Sequence, residues 1–559
     1  MRSSVRTFAV ASLLAVSVGL VTVATPTVAT ARPHFTTLGS WAGANGHDTS
    51  SGWVKSTGIS KDAWSSAVED ETVKIDKTGR SFVVEPALTT SDIALSTSSA
   101  APVHTDIPLT DAFLLHSRPL STKVMYLDFT GHNVTGTAWA NGTTMTVPPF
   151  DADGDTTTFS DAERQTIIDS WSAVAEDYSM FDIDVTTADP GQPAIDRSSL
   201  SDQRYGVRAV ITDEANAVAS TCGCQGVAYV GSIGYYEAGV SPSYYSPAFA
   251  FASPSFDGKL ISDVVSHEVG HNMGLSHDGT TTPPPGQSGE YYVGDGGWAP
   301  IMGAGYFEPV VQWSKGDYSH ATLQEDDLAI IGSMVSYIPD DYGSSSSTAT
   351  TLTLGTPVRG TISSRTDVDL FRVTPTNASL DVAVTLPSIS PDLDVKITLL
   401  DSSLQTVATA DPPLEVAPLP FSGLAATLTA TVDPNTTYYV KIDGVGFTGS
   451  YSDYGSIGEY ALTVNNGPIL QMSLVPTPLV SGKAKVGKRL SVDVGTWMSG
   501  VTVAKQWLRN GNPIGGASGA SYKLKSADAG KRISVRVQAS MPGYTTELVT
   551  SATTKRVAR

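Results

Sequence analysis

The stretch His267-Glu268-Val269-Gly270-His271-Asn272-Met273-Gly274-Leu275-Ser276-His277-Asp278 reads H-E-x-x-H-x-x-G-x-x-H-D, and no other run constrains the chain as much. Histidines four apart share one face of a helix, so both imidazoles can reach one cation. The residues before them sustain such a helix. Leu260, Val264, His267 and His271 fall in one sector, while Ser262, Asp263, Ser266 and Gly270 form a polar strip. Ile261, Val265 and Val269 fill most of the remainder, so the helix is expected to be largely buried, with its histidines at a margin where a cleft can open. A third histidine on the same helix would miss that cation. The chain must turn after His271, and Gly274 tolerates the left-handed conformation such a turn needs. Three neutral imidazoles leave a fourth position for water, as a catalytic zinc site requires. Glu268, next to the first ligand, is expected to take that water's proton and pass it to a leaving amine. A bare H-E-x-x-H is often a plain solvated helix, but six fixed residues with three of the chain's nine histidines are far more specific.

This segment resembles the metzincin zinc metalloproteases, and Asn272 with the closing Asp278 is most similar to their reprolysin (adamalysin) branch. The resemblance implies a zinc metalloendopeptidase acting on proteins or peptides. His267, His271 and His277 would hold one Zn2+, and Glu268 would be general base for a zinc-activated water. It also implies a methionine turn beneath the metal, which Pro300-Ile301-Met302-Gly303 fits, with Met302 as its hydrophobic base and Asp278 as its brace. Some branches add a tyrosine ligand two residues beyond that methionine. Here the position is Ala304, so none is expected, although Tyr306 is a candidate for lining the cleft. Residues 313–318 and 324–331 resemble the end of the catalytic domain in a bacterial secreted group. No substrate-pocket residue is readable.

A chain of 559 residues exceeds one hydrophobic core. Arg2 and Arg6, an apolar run over 8–23 and Ala29-Thr30-Ala31 read as a signal peptide over 1–31, so the protein is expected to be secreted and extracellular, released or held at the cell surface. No later stretch is long and apolar enough to span a membrane. Residues 32–118 read as the propeptide of a zymogen, with a permanent N-terminal domain as the alternative. They include the strand-like Ser81-Phe82-Val83-Val84-Glu85-Pro86 and a Ser/Thr/Pro-rich stretch over 89–102. They contain no cysteine, which excludes a thiolate block of the metal, and an acidic residue such as Asp106 or Asp111 is a candidate substitute.

Residues 119–342 read as the catalytic domain. Strands are expected at 124–129, 181–185, 207–211 and 227–230, and a helix over 161–177 with Ser160 and Glu163 as a capping box. The expected fold is therefore multidomain: an α/β (α+β) metzincin-like domain with a mixed sheet, then two all-β sandwich domains. Residues 343–466 resemble the bacterial pre-peptidase C-terminal domain, carried by Asp367-Val368-Asp369-Leu370-Phe371, Leu393-Asp394-Val395 and Tyr438-Tyr439-Val440. Residues 467–559 resemble bacterial immunoglobulin-like repeats, carried by Trp497, Gln506-Trp507-Leu508-Arg509-Asn510-Gly511 and Tyr522.

The net charge is −20, yet from Gly467 onward there are 14 Lys and Arg against 3 Asp and Glu. The acidic body argues against nucleic acid as a partner. The basic tail is a candidate for contact with anionic cell wall or acidic polysaccharide. Cys222 and Cys224, the chain's 2 cysteines, are expected to form a small disulfide ring rather than stay as thiols. Asp151, Asp153 and Asp155 on alternate positions suit a hard cation, which makes Ca2+ a candidate, or else they form a solvated acidic turn. A rival reading, a surface adhesin with a vestigial protease domain, does not account for the intact Glu268. A zinc hydrolase acting on something other than peptides is a third reading.

Overall fold

The computed structural model describes residues 36–45, 57–88, 105–141, 143–213, 223–284, 289–415 and 422–559. The expected signal peptide, the stretch over 89–102 and Cys222 lie outside them. Residues 36–86 contribute β1 (Thr36–Thr37), α1 (Leu38–Asn45), α2 (Trp64–Glu69), β2 (Val73–Ile75) and β3 (Ser81–Pro86). The central region follows with β4 (Lys123–Asp128), β5 (His132–Thr135), β6 (Thr144–Val147), α3 (Asp161–Asp177), β7 (Asp184–Thr186), α4 (Gln192–Ile195), β8 (Tyr205–Thr212), β9 (Cys224–Tyr229) and β10 (Ala248–Phe251). It ends with α5 (Gly258–Met273), β11 (Trp298–Pro300), β12 (Val310–Gln312) and α6 (Asp327–Val335).

One mixed sheet of 8 strands runs β1-β2-β3-β9-β10-β8-β4-β7. The strands β7, β4, β8 and β10 pair in parallel, and β9 joins β10 antiparallel. Every residue of β8 and β10 is buried, as expected for parallel strands covered on both faces. The strands β3, β2 and β1 then add antiparallel beyond β9. Residues 36–86 thereby cover what would otherwise be an unpaired sheet edge.

The helix α3 starts as its sequence dictates. Ser160 Oγ accepts the Glu163 N–H, and the Glu163 carboxylate accepts the Ser160 N–H at 2.8 Å. The strand expected over 181–185 is shorter: Phe181 turns aside to bridge Tyr337, with ring centroids 5.1 Å apart, and β7 begins only at Asp184. The helix α5 packs on α3 and against β8, β9 and β10, which buries every residue of it but Lys259.

Residues 350–466 form sheets of 5 and 4 strands, and residues 479–550 form sheets of 3 and 4 strands. The inward residues of the first pair, among them Phe371, Val382, Ile397 and Leu462, share one core cluster with the central region. The Leu328 N–H donates to Tyr454 Oη at 2.9 Å across this junction. The second pair is centred on the fully buried Trp507, and Asn510 and Gly511 turn its hairpin with φ of 46° and 84°.

Glu176, Asp177, Asp263 and Asp392 are all buried near this junction. Burial pushes Asp177 up to about 8 and Asp263 to about 6, the latter against its 2.7 Å pair with Lys259. Burial also raises Asp392 well above the carboxylate range, with Asp177 and Glu176 adding to it. Folded values raised above unfolded ones mean stability that is complete below about pH 4 and lost as pH climbs through the folded values, here roughly pH 6 to 8. Asp392→Asn keeps the shape and removes the charge. It should raise Tm near pH 8 by about 2–4 °C and change it less near pH 5 in calorimetric scans.

Candidate metal centre

Asp257 caps α5 by accepting the Leu260 N–H at 2.9 Å. After the 16 residues of the helix, Gly274 ends it at φ 111°, and the chain doubles back through Leu275 and Ser276 to His277. The three imidazoles meet, with ring centroids 4.8 Å apart for His267 and His271, 4.9 Å for His271 and His277 and 5.3 Å for His267 and His277. Each ring is anchored through Nδ1. His267 donates to the Ile301 carbonyl at 2.8 Å, His271 to the Leu275 carbonyl at 2.9 Å and His277 to Asp70 Oδ2 at 2.6 Å. With Nδ1 as donor, each ring presents Nε2 to one place, where a bound cation would take the lone pair in place of a proton.

All three Nε2 atoms point at one oxygen. Glu85 Oε1 stands 2.8 Å from His277 Nε2, 3.3 Å from His271 Nε2 and 3.4 Å from His267 Nε2. Glu85 lies on β3, opposite Gly226 of β9. Burial alone would raise its carboxyl, but His277 and His267 outweigh burial and hold it well below the usual range, as a carboxylate. Its other oxygen accepts the Tyr291 hydroxyl at 2.6 Å. Sequence reasoning placed the acidic candidate at Asp106 or Asp111. Asp106 is exposed, Asp111 sits on a short 3-10 turn, and the residue at the cluster is Glu85.

The donor set fits zinc. Glu85, His267, His271 and His277 offer ligand atoms within 4.8 Å of one another, all buried. His267 Nε2 is sequestered from solvent with no hydrogen-bond partner, a lone pair that a borderline cation would satisfy. Both carboxyl oxygens of Glu268 are likewise buried and unpartnered. Burial, then the charge of Glu85, pushes that carboxyl well above its ordinary range. Gly226 makes room for it: a Cβ there would stand 1.8 Å from Glu268 Oε1.

Met302 is fully buried under α5, and a Cβ on Gly270 would stand 2.5 Å from its Sδ. Asp278 meets the turn through its backbone, donating its N–H to the Met302 carbonyl at 2.8 Å. Its side chain is turned to Tyr318 Oη at 3.4 Å. Tyr306 is largely sequestered, with Glu85 and Glu268 near enough to raise its phenol after burial has done so. Asp70 and Tyr291 went unremarked in the sequence, where nothing local marks them.

Elsewhere, Asp151 and Asp153 are joined by Glu163, not by Asp155, which turns to Thr157 and Thr158. Cys224 is disulfide-bonded.

Residues 172–278, from within α3 through the whole histidine segment, match the family described as Metallo-peptidase family M12B Reprolysin-like. None of the curated proteins compared with the chain matches it. Among solved structures, the chain is similar to the pre-peptidase C-terminal domain of a collagenase from Bacillus anthracis, with 15% identity, a TM-score of 0.16, and coverage of 23% of this chain and 98% of that one. A lipase from Bacillus licheniformis in its propeptide form matches at 8% identity and a TM-score of 0.13, over 81% of this chain and 95% of that one.

Proposed function

We propose that this chain, a reprolysin-like metallopeptidase of family M12B over residues 172–278, is the latent precursor of a secreted zinc metalloendopeptidase that hydrolyses peptide bonds within proteins. One observation carries the reading: three anchored, buried Nε2 atoms converge within 3.4 Å of a single carboxylate oxygen, beside the unpartnered Glu268. His267, His271 and His277 would hold Zn2+, with Met302 beneath them and Gly274 and Asp278 fixing the turn. Bound there, Zn2+ supplies a Lewis acid that polarises the scissile carbonyl and acidifies a water. Glu268 accepts that water's proton at a carboxyl oxygen and returns it to the leaving amine nitrogen.

Glu85 stands where substrate has to enter, and β3 covers the edge of β9, so activity requires that residues 36–86 withdraw. This supports residues 32–118 as a propeptide following a signal peptide over 1–31. Residues 343–466 and 467–559 are read as two β-sandwich modules. In the last, Lys483, Lys485, Lys488 and Arg489 are exposed within one short stretch, which favours docking on anionic cell-wall polymer or acidic polysaccharide. The secreted chain should bind cell walls at low salt and detach as ionic strength rises; salt-indifferent binding would remove this contact. Ca2+ at Asp151, Asp153 and Glu163 belongs to the same reading, with a calcium-dependent Tm as its check.

Metal removal tests the central claim. The matured protein should carry one zinc per chain and degrade casein. A chelator should abolish that activity, and Zn2+ should restore it. A fully zinc-loaded matured protein that degrades no protein or peptide overturns the reading.

A further inference from the structure

In the latent chain, the carboxylate of Glu85 is one carbon carrying two oxygens, held over the three imidazoles. Oε1 faces all three Nε2 atoms at 2.8–3.4 Å, as a fourth ligand of a cation held by them would. Oε2 is gripped by the Tyr291 hydroxyl at 2.6 Å. A peptide under hydrolysis passes through the same pattern. When water adds to the scissile carbonyl, its carbon bears the water's oxygen and the former carbonyl oxygen, now an oxyanion. Glu85 therefore marks where that carbon and its oxygens belong.

We propose that Tyr291 is a catalytic residue, whose hydroxyl donates a hydrogen bond to the oxygen of the substrate carbon once Glu85 has left. The assignment rests on the hydrolase reading of this site. The backbone beyond Tyr291 is held from the central region. The Tyr291 ring leans on His277 with centroids 4.4 Å apart. The next residue is pinned on both sides: the Tyr292 N–H donates to the Asp278 carbonyl at 2.7 Å, and the Tyr292 carbonyl accepts the Ala304 N–H at 3.0 Å. The Tyr292 ring stacks on Tyr318 at 4.4 Å and 5°. All of these anchors lie in the central region. By contrast, the groups that engage the phenol oxygen, Glu85 and Thr72, both belong to residues 36–86. Withdrawal of the segment removes the partners of the hydroxyl, while the neighbouring Tyr292 keeps its backbone and ring anchors. Tyr306, the aromatic expected at the cleft, makes no such bond with Glu85, so the donor lies ahead of the methionine turn rather than just after it.

In the step itself, the water oxygen bonds to the carbonyl carbon, and a water proton goes to Glu268. The carbonyl π pair moves onto the oxygen facing Tyr291. Collapse restores the carbonyl, breaks the C–N bond and takes the proton from Glu268 to the amine nitrogen. Tyr291 keeps its proton throughout and contributes only the hydrogen bond, which strengthens as the oxygen gains charge.

The experiment compares wild type with Tyr291→Phe, both produced as full chains and assayed after processing. The variant should keep its zinc, lose about 10²–10³ in kcat and hold KM within about twofold, as removal of one oxyanion donor does. A phosphinic peptide, whose tetrahedral phosphorus carries two oxygens, should bind the variant at least about tenfold more weakly by calorimetry. Site-specific 3,5-difluorotyrosine at 291 preserves the ring and acidifies the hydroxyl, so the alkaline limb of kcat should move to lower pH. A Tyr291→Phe protein with kcat and phosphinic affinity within about twofold of wild type overturns the assignment. So does an unmoved alkaline limb in the fluorinated protein if Tyr291→Phe does not fold. A zinc-loaded wild type that cleaves nothing overturns the hydrolase reading, and this assignment with it.

Discussion

Glu85→Gln should turn the full-length chain into a working peptidase before any of its N-terminal residues are removed. The carboxylate is fully sequestered and lies within 3.4 Å of three imidazole nitrogens, where its charge matters most. Replacing a buried charged partner by a neutral one typically costs about 3–5 kcal/mol, so the closed state should weaken by roughly 10²–10⁴. The strand would still hold on by its backbone, since β3 pairs with β9 from Phe82–Tyr229 to Pro86–Cys224. Turnover of a short fluorogenic peptide should therefore rise at least about tenfold over the unprocessed wild type and stay below that of the matured enzyme. Glu85→Asp should fall between the two, because a carboxylate one methylene shorter cannot reach both His277 and Tyr291. Intact-mass measurement on the assayed sample shows whether the segment is still attached. A Glu85→Gln chain as silent as wild type, with its segment intact, would mean that strand pairing alone enforces latency.

The parts of the site that are close in sequence were legible, and the parts that are distant were not. His267, Glu268, His271, Gly274 and His277 sit on one helix and the turn that ends it, so spacing alone says they meet. Asp70 and Glu85 reach His277 from 207 and 192 residues away. Only the addition of β3 to β9 brings them there, and no local pattern reports that pairing. A faint signal existed: Glu85 stands among Phe82, Val83 and Val84 in a strand of mostly buried residues, and a charge in such a place needs a partner. Similarly, the mixed sheet followed from the order of strands and helices, but its three extra strands did not, because residues read as a propeptide, or else as a domain of their own, gave no reason to join them to the core. The acidic turn misled for a different reason. Alternate spacing assumes an extended chain, whereas Asp151 accepts the N–H groups of Asp153 and Gly154 and folds the segment back toward Glu163.

Glu268→Ala in the matured protein should reduce kcat by about 10²–10⁴ while zinc content stays at the wild-type level. The ligands should not need Glu268: His267 and His271 are oriented by the carbonyls of Ile301 and Leu275, and neither anchor touches the glutamate. A second substitution reaches the same atom from the sheet. In Gly226→Ala, the new Cβ would stand 1.8 Å from Glu268 Oε1 and 2.5 Å from its Cδ, closer than any real contact permits. The Glu268 carboxyl is enclosed between β9 and the histidines, so it has to swing away from the position that serves a water. Gly226→Ala should thus lose activity on the scale of Glu268→Ala, again with zinc in place, and combining the two should cost little beyond either alone. Near-wild-type kcat in Glu268→Ala would remove the base. Near-wild-type kcat in Gly226→Ala alone would mean that β9 moves when β3 leaves it. The latent chain would then hold the ligands in their working geometry but not the base, and maturation would assemble the site as well as uncover it.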